Sequence, residues 1–238
     1  MKHRFYIERD QLSGEEVRFS EAQAHQLGAV LRLRAGDQVS VFDGVTQQDF
    51  VVELTAPARG RVIGERAHGA EPRTRLVVYP ALLQRDKFET VLQKLTEVGA
   101  SSIAPVITAR SLVREAPDDR RVQRWHAILR EATEQSGRGS IPELRGGRTF
   151  AEALADARGT ILVAYEGERE GQLRDALAAR PLSVSLFIGP EGGYTAEEVD
   201  CARRAGAHLV TLGPRVLRAE TASPLLAALV LYELGDLS

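Results

Sequence analysis

The sequence has little of several features that indicate a function directly in other proteins. It has one cysteine, Cys201, in 238 residues, which excludes an internal disulfide framework and favours a reducing compartment. Its five histidines are far apart and show no metal-ligand spacing, so we predict no metal site. No apolar run approaches the roughly 18 residues that cross a bilayer, and the charged N-terminus does not resemble a signal peptide. We therefore expect a cytoplasmic chain with no membrane partner.

A strong net charge is also missing. The chain has 31 basic and 33 acidic residues, for a formal net charge of -2. Bulk charge therefore does not indicate a nucleic-acid partner, and such a partner would have to be met by local basic patches.

Neither of the common phosphate-binding loops is present. No segment matches GxxxxGK[ST], and no GxGxxG follows a predicted strand. Gly137-Arg138-Gly139 is only a fragment of the second motif and follows a predicted helix. A nucleotide gripped by its phosphates is therefore not the expected ligand.

What is present divides the chain into two patterns. Residues 1–72 read as short strands with one helix after Ser20, and Asp43-Gly44 is a typical hairpin turn, so we predict a small barrel with its boundary inside 64–74. Residues 73–238 alternate strands with helices, which predicts an α/β domain with a parallel sheet covered by helices.

Particular elements of the second part can be placed from their patterns. We predict strands at 103–108, 161–165, 185–188 and 208–212, a helix capped by Asp86 that ends at Gly99, and a helix over 118–135 with Trp125 in the core. The last helix is apolar almost all round and is predicted to begin with Ser223 as N-cap and Pro224 at its first position.

The segment FIGPEGGYTAEEVD, residues 187–200, carries the first indication of a ligand site. An apolar strand runs into a glycine-rich loop, and Thr195 with Glu198 forms a capping box for the helix that follows. The carboxyl end of a strand facing a helix N-terminus is the usual ligand crevice of an open α/β sheet. One glycine there would most simply serve a turn, but three together favour a close backbone approach to a ligand.

A second loop, in LGPRVLRAETA at residues 212–222, follows the next predicted strand. Arg218 and Glu220, taken alone, would most simply be a surface ion pair. Next to the first loop, they read as polar groups around one pocket.

These segments together resemble the RsmE family of SPOUT methyltransferases. IGPEGG and LGPRVLRAETA fit that family in order with RFY, HQLGAVLRLRAGD, KLTEVGASSIAPV and EATEQSGR, followed by Ile141-Pro142, across nearly the whole chain. Two departures are visible: ARS at 109–111 lacks the glutamate expected before the arginine, and Ala219 replaces the usual threonine. They bear on RNA contacts or packing and not on the class.

The resemblance implies a fold, a cofactor and partners. It implies a PUA-like β-barrel RNA-binding domain over 1–72 and a SPOUT domain over 73–238 with a deep C-terminal trefoil knot, forming a homodimer through the apolar last helix. The activity implied is S-adenosylmethionine-dependent methylation of uridine N3 in 16S ribosomal RNA of the small subunit, near its 3′ end in the decoding region. S-adenosylmethionine has no phosphate, which agrees with the absence of the phosphate-binding lysine of a GxxxxGK[ST] loop.

The resemblance also implies site residues, carried over by position. The expected cofactor-binding residues are Ala164, Tyr165, Glu166, Gly189, Pro190, Glu191, Gly192, Gly193, Leu212, Gly213, Val216, Leu217 and Arg218. The expected RNA-binding residues are Arg4, His25, Arg32 and Arg34, each of which could equally be a solvated surface residue.

Three residues are candidates for the chemistry. Arg218 would favour the imide anion of the uracil ring and stabilise developing charge, and Glu191 or Glu220 would accept the proton. Glu191 is equally well explained as a carboxylate that stabilises its helix N-terminus. Two other functions stay open: a SPOUT enzyme acting on another RNA position such as a ribose 2′-hydroxyl, and a non-catalytic ribosome-assembly factor.

Overall fold

The computed structural model describes residues 3–46, 48–67 and 71–237, which form two compact units. One unit comprises Met1–Glu71 with Thr133–Ile141, and the other comprises Pro72–Ala132 with Pro142–Ser238. The predicted boundary between residues 72 and 73 lies one position from the first break. The sequence analysis placed residues 133–141 in the second domain, whereas in the structure they belong to the first unit.

The first unit is built on a six-stranded sheet. Its strands are β1 (Arg4–Tyr6), β2 (Leu12–Ser13), β3 (Glu16–Arg18), β4 (Gln38–Phe42), β5 (Gln48–Ala56) and β6 (Arg59–Ala67), with helix α1 at Glu21–His25. The sheet order is β1-β4-β5-β6-β3-β2, with β1 parallel to β4 and the other neighbours antiparallel. The alternating residues of β5 place Phe50, Val52 and Leu54 in the core, as predicted. Closure into a PUA-like barrel remains a prediction.

Local signals of this unit appear in the structure as expected. Ser20 caps α1 in a capping box with Gln23, and the helix continues as a π-helical turn over Gln26–Val30. Asp43 closes the turn after β4, since its Oδ1 accepts hydrogen bonds from the N–H groups of Val45 and Thr46. The connection is longer than the predicted tight hairpin turn, since β5 begins only at Gln48.

One largely buried ion pair joins residues 133–141 to the rest of the first unit. Arg138, only 3% exposed, donates from Nε and Nη2 to the Glu71 carboxylate, which also accepts the N–H groups of Gly139 and Ser140. Burial by itself would raise the pKa of Glu71, but the Arg138 guanidinium and these N–H groups hold it below its ordinary value. Glu71 is therefore a fixed anion at this junction.

The second unit contains a six-stranded, fully parallel sheet. The strands of this unit are β7 (Arg75–Pro80), β8 (Ser102–Ile103), β9 (Val106–Ile107), β10 (Glu143–Leu144), β11 (Arg148–Thr149), β12 (Thr160–Ala164), β13 (Ser183–Ile188) and β14 (His208–Val210). Its helices are α2 (Arg85–Val98), α3 (Asp119–Ser136, which ends in the first unit), α4 (Phe150–Asp156), α5 (Leu173–Ala176), α6 (Ala196–Arg204) and α7 (Ala219–Leu234). The order is β10-β8-β7-β13-β12-β14, and β9 pairs separately with β11. The predicted parallel sheet with helices between its strands is confirmed.

Three predicted element boundaries were wrong. The strand expected over 103–108 is two short strands that join different sheets, because Pro105 between them lacks the N–H that a continuous ladder needs. Helix α2 has Gln84 as its N-cap, so Asp86 lies in the first turn. A carboxylate at that position still stabilises the helix through its interaction with the helix dipole.

The last helix also begins earlier than predicted. Its N-cap is Arg218, which leaves Ser223 and Pro224 inside the helix. Ser223 donates its hydroxyl to the Ala219 carbonyl, so it bonds back along the helix and does not cap it. Pro224 is the sixth residue of this helix, so its missing N–H removes one hydrogen bond of the ladder, the one to the Glu220 carbonyl.

The core of the second unit follows the predicted helix faces. Trp125 is 2% exposed and packs on Phe88 with ring centroids 4.6 Å apart, so its predicted core role is confirmed. Cys201 is half-buried and packs against the core. Among the described residues, no helix is both long and apolar enough to cross a membrane.

We expect Glu71→Gln to lower the free energy of unfolding by roughly 3 kcal/mol, because it leaves a buried guanidinium without this carboxylate. Urea titration at neutral pH measures the change. The matched control is Asp200→Asn, which breaks an exposed pair with Arg203 and should cost about 0–1 kcal/mol. Since the pKa of Glu71 is depressed in the fold, its contribution is present above its ordinary value of 4.5 and is lost as pH falls through the folded-state pKa. Equal losses for the two variants would contradict the role given to this pair.

Candidate functional site

A cavity lies where three neighbouring strands of the second unit end. Strands β13, β12 and β14 are adjacent and parallel, so their carboxyl ends meet at one edge of the sheet. The loops that follow them enclose a cavity of about 340 Å³, a size suited to a small-molecule ligand. The lining residues are Ala164, Tyr165, Glu166, Arg169, Ile188, Gly189, Pro190, Glu191, Gly193, Val210, Thr211, Leu212, Gly213, Pro214, Arg215, Val216, Leu217, Arg218, Ala219 and Ala222.

The sequence-predicted ligand residues are therefore brought together, with one exception. Gly192 does not line the cavity; its carbonyl faces outwards and accepts a hydrogen bond from Arg110 Nη1 at 3.0 Å. The neighbouring N–H of Ala109 donates to Glu198 Oε1. The departure from the family pattern at 109–111 therefore lies behind the glycine loop, where it braces the loop from outside.

The glycine loop is fixed by its conformation and by the helix after it. Thr195 and Glu198 form the predicted capping box of α6. Gly193 has φ +66°, and a Cβ built there would overlap Oε1 of Glu166 from the neighbouring loop. Only glycine allows the Glu166 carboxylate to approach the backbone this closely.

Tyr194 anchors the end of the loop in the core. It is 4% exposed and packs on Phe150, with ring centroids 5.0 Å apart. Burial raises the pKa of its hydroxyl well above the ordinary value, and the charges of Glu198 and Glu166 add to that effect. Tyr194 is thus a neutral packing residue at neutral pH.

A lysine that the sequence did not single out connects two candidate carboxylates. Lys87 Nζ lies 2.7 Å from Glu191 Oε1 and 3.9 Å from Glu220 Oε1. Its hydrogen bond with Glu191 raises the pKa of Lys87. Burial alone would raise the pKa of Glu191, but Lys87 and the N–H of Glu191 itself bring it below the ordinary value. Glu191 is thereby a weaker base than a free glutamate.

The two remaining chemical candidates lie at the start of α7. Arg218 is exposed, lines the cavity and is the helix N-cap residue. Glu220 lies in the first helical turn but is not a lining residue. Its Oε2 is buried and, within the described part of the chain, makes no hydrogen bond. The buried Oε2 of Glu220 therefore has unused accepting capacity.

The predicted RNA-binding residues of the first unit divide into two kinds. The guanidinium of Arg4 makes its contacts within the first unit. It donates from Nη2 to Asp49 at 2.8 Å, donates to the Thr133 carbonyl and stacks on Phe42. It has little left to offer a phosphate. The other three residues are exposed, namely His25, Arg32 and Arg34.

Tertiary structure adds residues to the site that the sequence reading missed. Lys87 lies in the first turn of α2, the helix after β7, and β7 is the strand that lies beside β13 in the sheet. Arg169 and Thr211 extend the loops already predicted. Strand order decides which segments meet, and no local signal in the sequence marks Lys87. In the described ranges 3–46, 48–67 and 71–237, no group of acidic, histidine or cysteine side chains is arranged to hold a metal.

Comparison with known proteins decides the family of this chain. A family model described as an RNA methyltransferase domain matches residues 70–231. The chain belongs to this RNA methyltransferase family. A ribosomal RNA small subunit methyltransferase E of Mycobacterium bovis is 32% identical to it, over 98% of this chain and 91% of that protein.

Solved structures of methyltransferases share the fold over nearly their whole length. A methyltransferase of Legionella pneumophila, solved with the cofactor SAM, superposes with a TM-score of 0.88 at 28% identity, covering 98% of each chain. A ribosomal RNA small subunit methyltransferase E of Neisseria gonorrhoeae, bound to S-adenosylmethionine, gives 0.85 at 29% identity, covering 97% of each. The resemblance seen in the motifs of this RNA methyltransferase is thus confirmed.

We expect Gly193→Ala to destabilise this methyltransferase slightly more than Gly206→Ala, because the end of the exposed Glu166 side chain would have to move aside. Both glycines have positive φ, but a Cβ at Gly206 would meet no atom within 4 Å, so that variant should show only the conformational cost of about 1–2 kcal/mol. Combining Gly193→Ala with Glu166→Ala should recover part of the loss, with a coupling of about 1 kcal/mol in a double-mutant cycle. Urea unfolding is measured for the wild type, for Gly206→Ala, and for Gly193→Ala, Glu166→Ala and their combination. Strict additivity would show that Glu166 and Gly193 do not compete for space.

Proposed function

We propose that this chain transfers a methyl group from S-adenosylmethionine to N3 of a uridine in 16S ribosomal RNA, near the 3′ end in the decoding region. The observation that carries the proposal is the three-loop cavity, formed by the residues that the family resemblance assigns to the cofactor. The small-subunit methyltransferase names of the relatives support the ribosomal substrate.

The chemistry of the cavity fits such a cofactor. Its walls are largely backbone and apolar side chains, and Gly193 permits close approach at the carboxyl end of β13. No lysine is among its described lining residues, so the lysine with which a GxxxxGK[ST] loop binds a nucleotide's phosphate chain is missing. S-adenosylmethionine supplies an electrophilic methyl group, and the surrounding residues have the tasks of binding it, orienting it and excluding water.

The residues at the start of α7 suit the nucleophile. N3 of uridine attacks only after its imide proton has left, and the exposed Arg218 guanidinium at the cavity would favour the anion. Glu220 is our preferred proton acceptor, because one of its oxygens has no partner among the described residues. The ion pair with Lys87 and the lowered pKa make Glu191 the less suitable base.

Partners follow from the same proposal. His25, Arg32 and Arg34 are exposed and are proposed to meet RNA phosphates. A homodimer through α7 is supported by apolar side chains left open on one face of that helix: Leu225 is 42% and Tyr232 62% exposed. The trefoil knot and the PUA-like barrel are part of the proposal on the resemblance alone.

Nucleoside analysis tests the reaction. Small ribosomal subunits from cells lacking this protein should gain 3-methyluridine when incubated with the purified protein and S-adenosylmethionine, as read by mass spectrometry of the digested RNA. A 2′-O-methylated nucleoside instead would favour a different RNA position. S-adenosylmethionine binding without any methylated nucleoside would favour an assembly factor.

Arg218→Ala should keep its affinity for S-adenosylmethionine and lose at least about 100-fold in turnover, the cost of removing a group that stabilises transition-state charge. Calorimetry measures the first quantity and single-turnover methylation the second. Arg180→Ala is the matched control, since Arg180 is exposed in the loop before β13, at the opposite edge of the sheet. Undiminished turnover would remove Arg218 from the mechanism.

A further inference from the structure

Two arginines at the cavity have no role in the mechanism above. Arg169 lies in the loop after β12, and Arg215 lies in the loop after β14. Both are exposed and both line the cavity. Because β12 and β14 are neighbouring parallel strands, the loops that carry these arginines are adjacent at one edge of the sheet.

These arginines have no carboxylate partner among the described residues, in contrast to Arg124 and Arg174 of the same unit. Arg124 Nε lies 2.6 Å from Glu89, and Arg174 Nη2 lies 3.4 Å from Glu233. Within the described ranges, the side chains of Arg169 and Arg215 make neither an ion pair nor a hydrogen bond, so their charge is available to an anionic ligand.

The local balance of charge also favours an anion. Of the two carboxylates in the cavity wall, Glu191 is neutralised by its ion pair with Lys87. Glu166 is then opposed by three lining arginines, including Arg218. The cavity mouth is therefore locally basic in a chain whose formal net charge is -2.

An apolar side chain lies next to this charge. Val216 follows Arg215 directly, lines the cavity and is 81% exposed. An exposed aliphatic group beside exposed guanidinium groups suits a nucleotide, which has an apolar base face and an anionic phosphate. A small carboxylate ligand would have no use for Val216.

We propose that Arg169 and Arg215 form a phosphate-binding rim at the mouth of the cofactor cavity, where they hold the RNA backbone on both sides of the target nucleotide, with the exposed side of Val216, a residue also expected at the cofactor, against its base. The inference rests on the proposed function and names how the catalytic unit itself binds its substrate. Both arginines line the same cavity of about 340 Å³, so one RNA strand lying across its mouth could contact both of them. The second unit would thereby orient the target nucleotide of the RNA at the cavity.

The test compares RNA binding of the double variant Arg169→Gln/Arg215→Gln with that of the wild type. The probe is a short single-stranded RNA containing uridines, titrated over a series of salt concentrations. Loss of two phosphate contacts should lower the slope of log affinity against log salt by about 1.4, or about 0.7 for each contact. Affinity at moderate salt should fall roughly tenfold, and methylation should show a raised KM with little change in kcat.

The matched control is Arg75→Gln/Arg180→Gln. It removes the same charge from two exposed positions, at the start of β7 and before β13, which lie at the opposite edge of the sheet. Its salt slope should equal that of the wild type. A slope in the rim variant no lower than in this control would overturn the proposal.

Cofactor titration separates the remaining explanations. The rim variant should bind S-adenosylmethionine with wild-type affinity; a lost affinity would assign these arginines to the cofactor carboxylate and overturn the proposal. Failure of the proposed function itself appears elsewhere, in a wild-type protein that neither binds S-adenosylmethionine nor methylates RNA.

Discussion

The parallel alignment of β13, β12 and β14 is the constraint on which the site depends. Because all three strands run in the same direction, their carboxyl ends and the loops that follow lie at one edge of the sheet. Segments from three distant parts of the chain then form one cavity. A reversed strand among them would carry its loop to the opposite edge and open the cavity.

The charges at that edge are organised around Lys87. Its ammonium group pairs with Glu191 and approaches Glu220, so one cation holds the glycine loop in relation to the start of α7. Pairing with Lys87 lowers the pKa of Glu191 and makes it a weaker base, while Glu220 keeps an oxygen without a hydrogen bond among the described residues. Arg169 and Arg215, which have no carboxylate partner among the described residues, then make the mouth of the cavity positively charged.

Sequence reasoning succeeded where the signal is local. The capping box of Thr195 and Glu198, the Ser20 cap and the core position of Trp125 depend on neighbouring residues in the chain, and all three appear in the structure. It failed at element ends. Pro105 divides a predicted strand, and α7 starts ahead of Ser223, because helix starts depend on what the first turn contacts as well as on cap residues.

The candidate site, like the fold, was predicted only in part from the sequence. The glycine loops were predictable, since their motifs carry both the backbone requirement and the family resemblance. Gly192 was assigned to the ligand by its motif, but the structure turns its carbonyl towards Arg110. Arg4 is a basic residue in a predicted RNA-binding domain, but its guanidinium is used by Asp49 and Thr133.

The sequence by itself determined the class of protein, the two-part organisation and the loops that form the cavity, because glycine conformation, capping and strand patterns act over a few residues. Only the tertiary structure decided that Lys87 joins the site, that residues 133–141 return to the first unit and that particular arginines stay unpaired. These depend on strand order and on which charges meet across long separations in the chain, and such partners are chosen by packing of the whole fold.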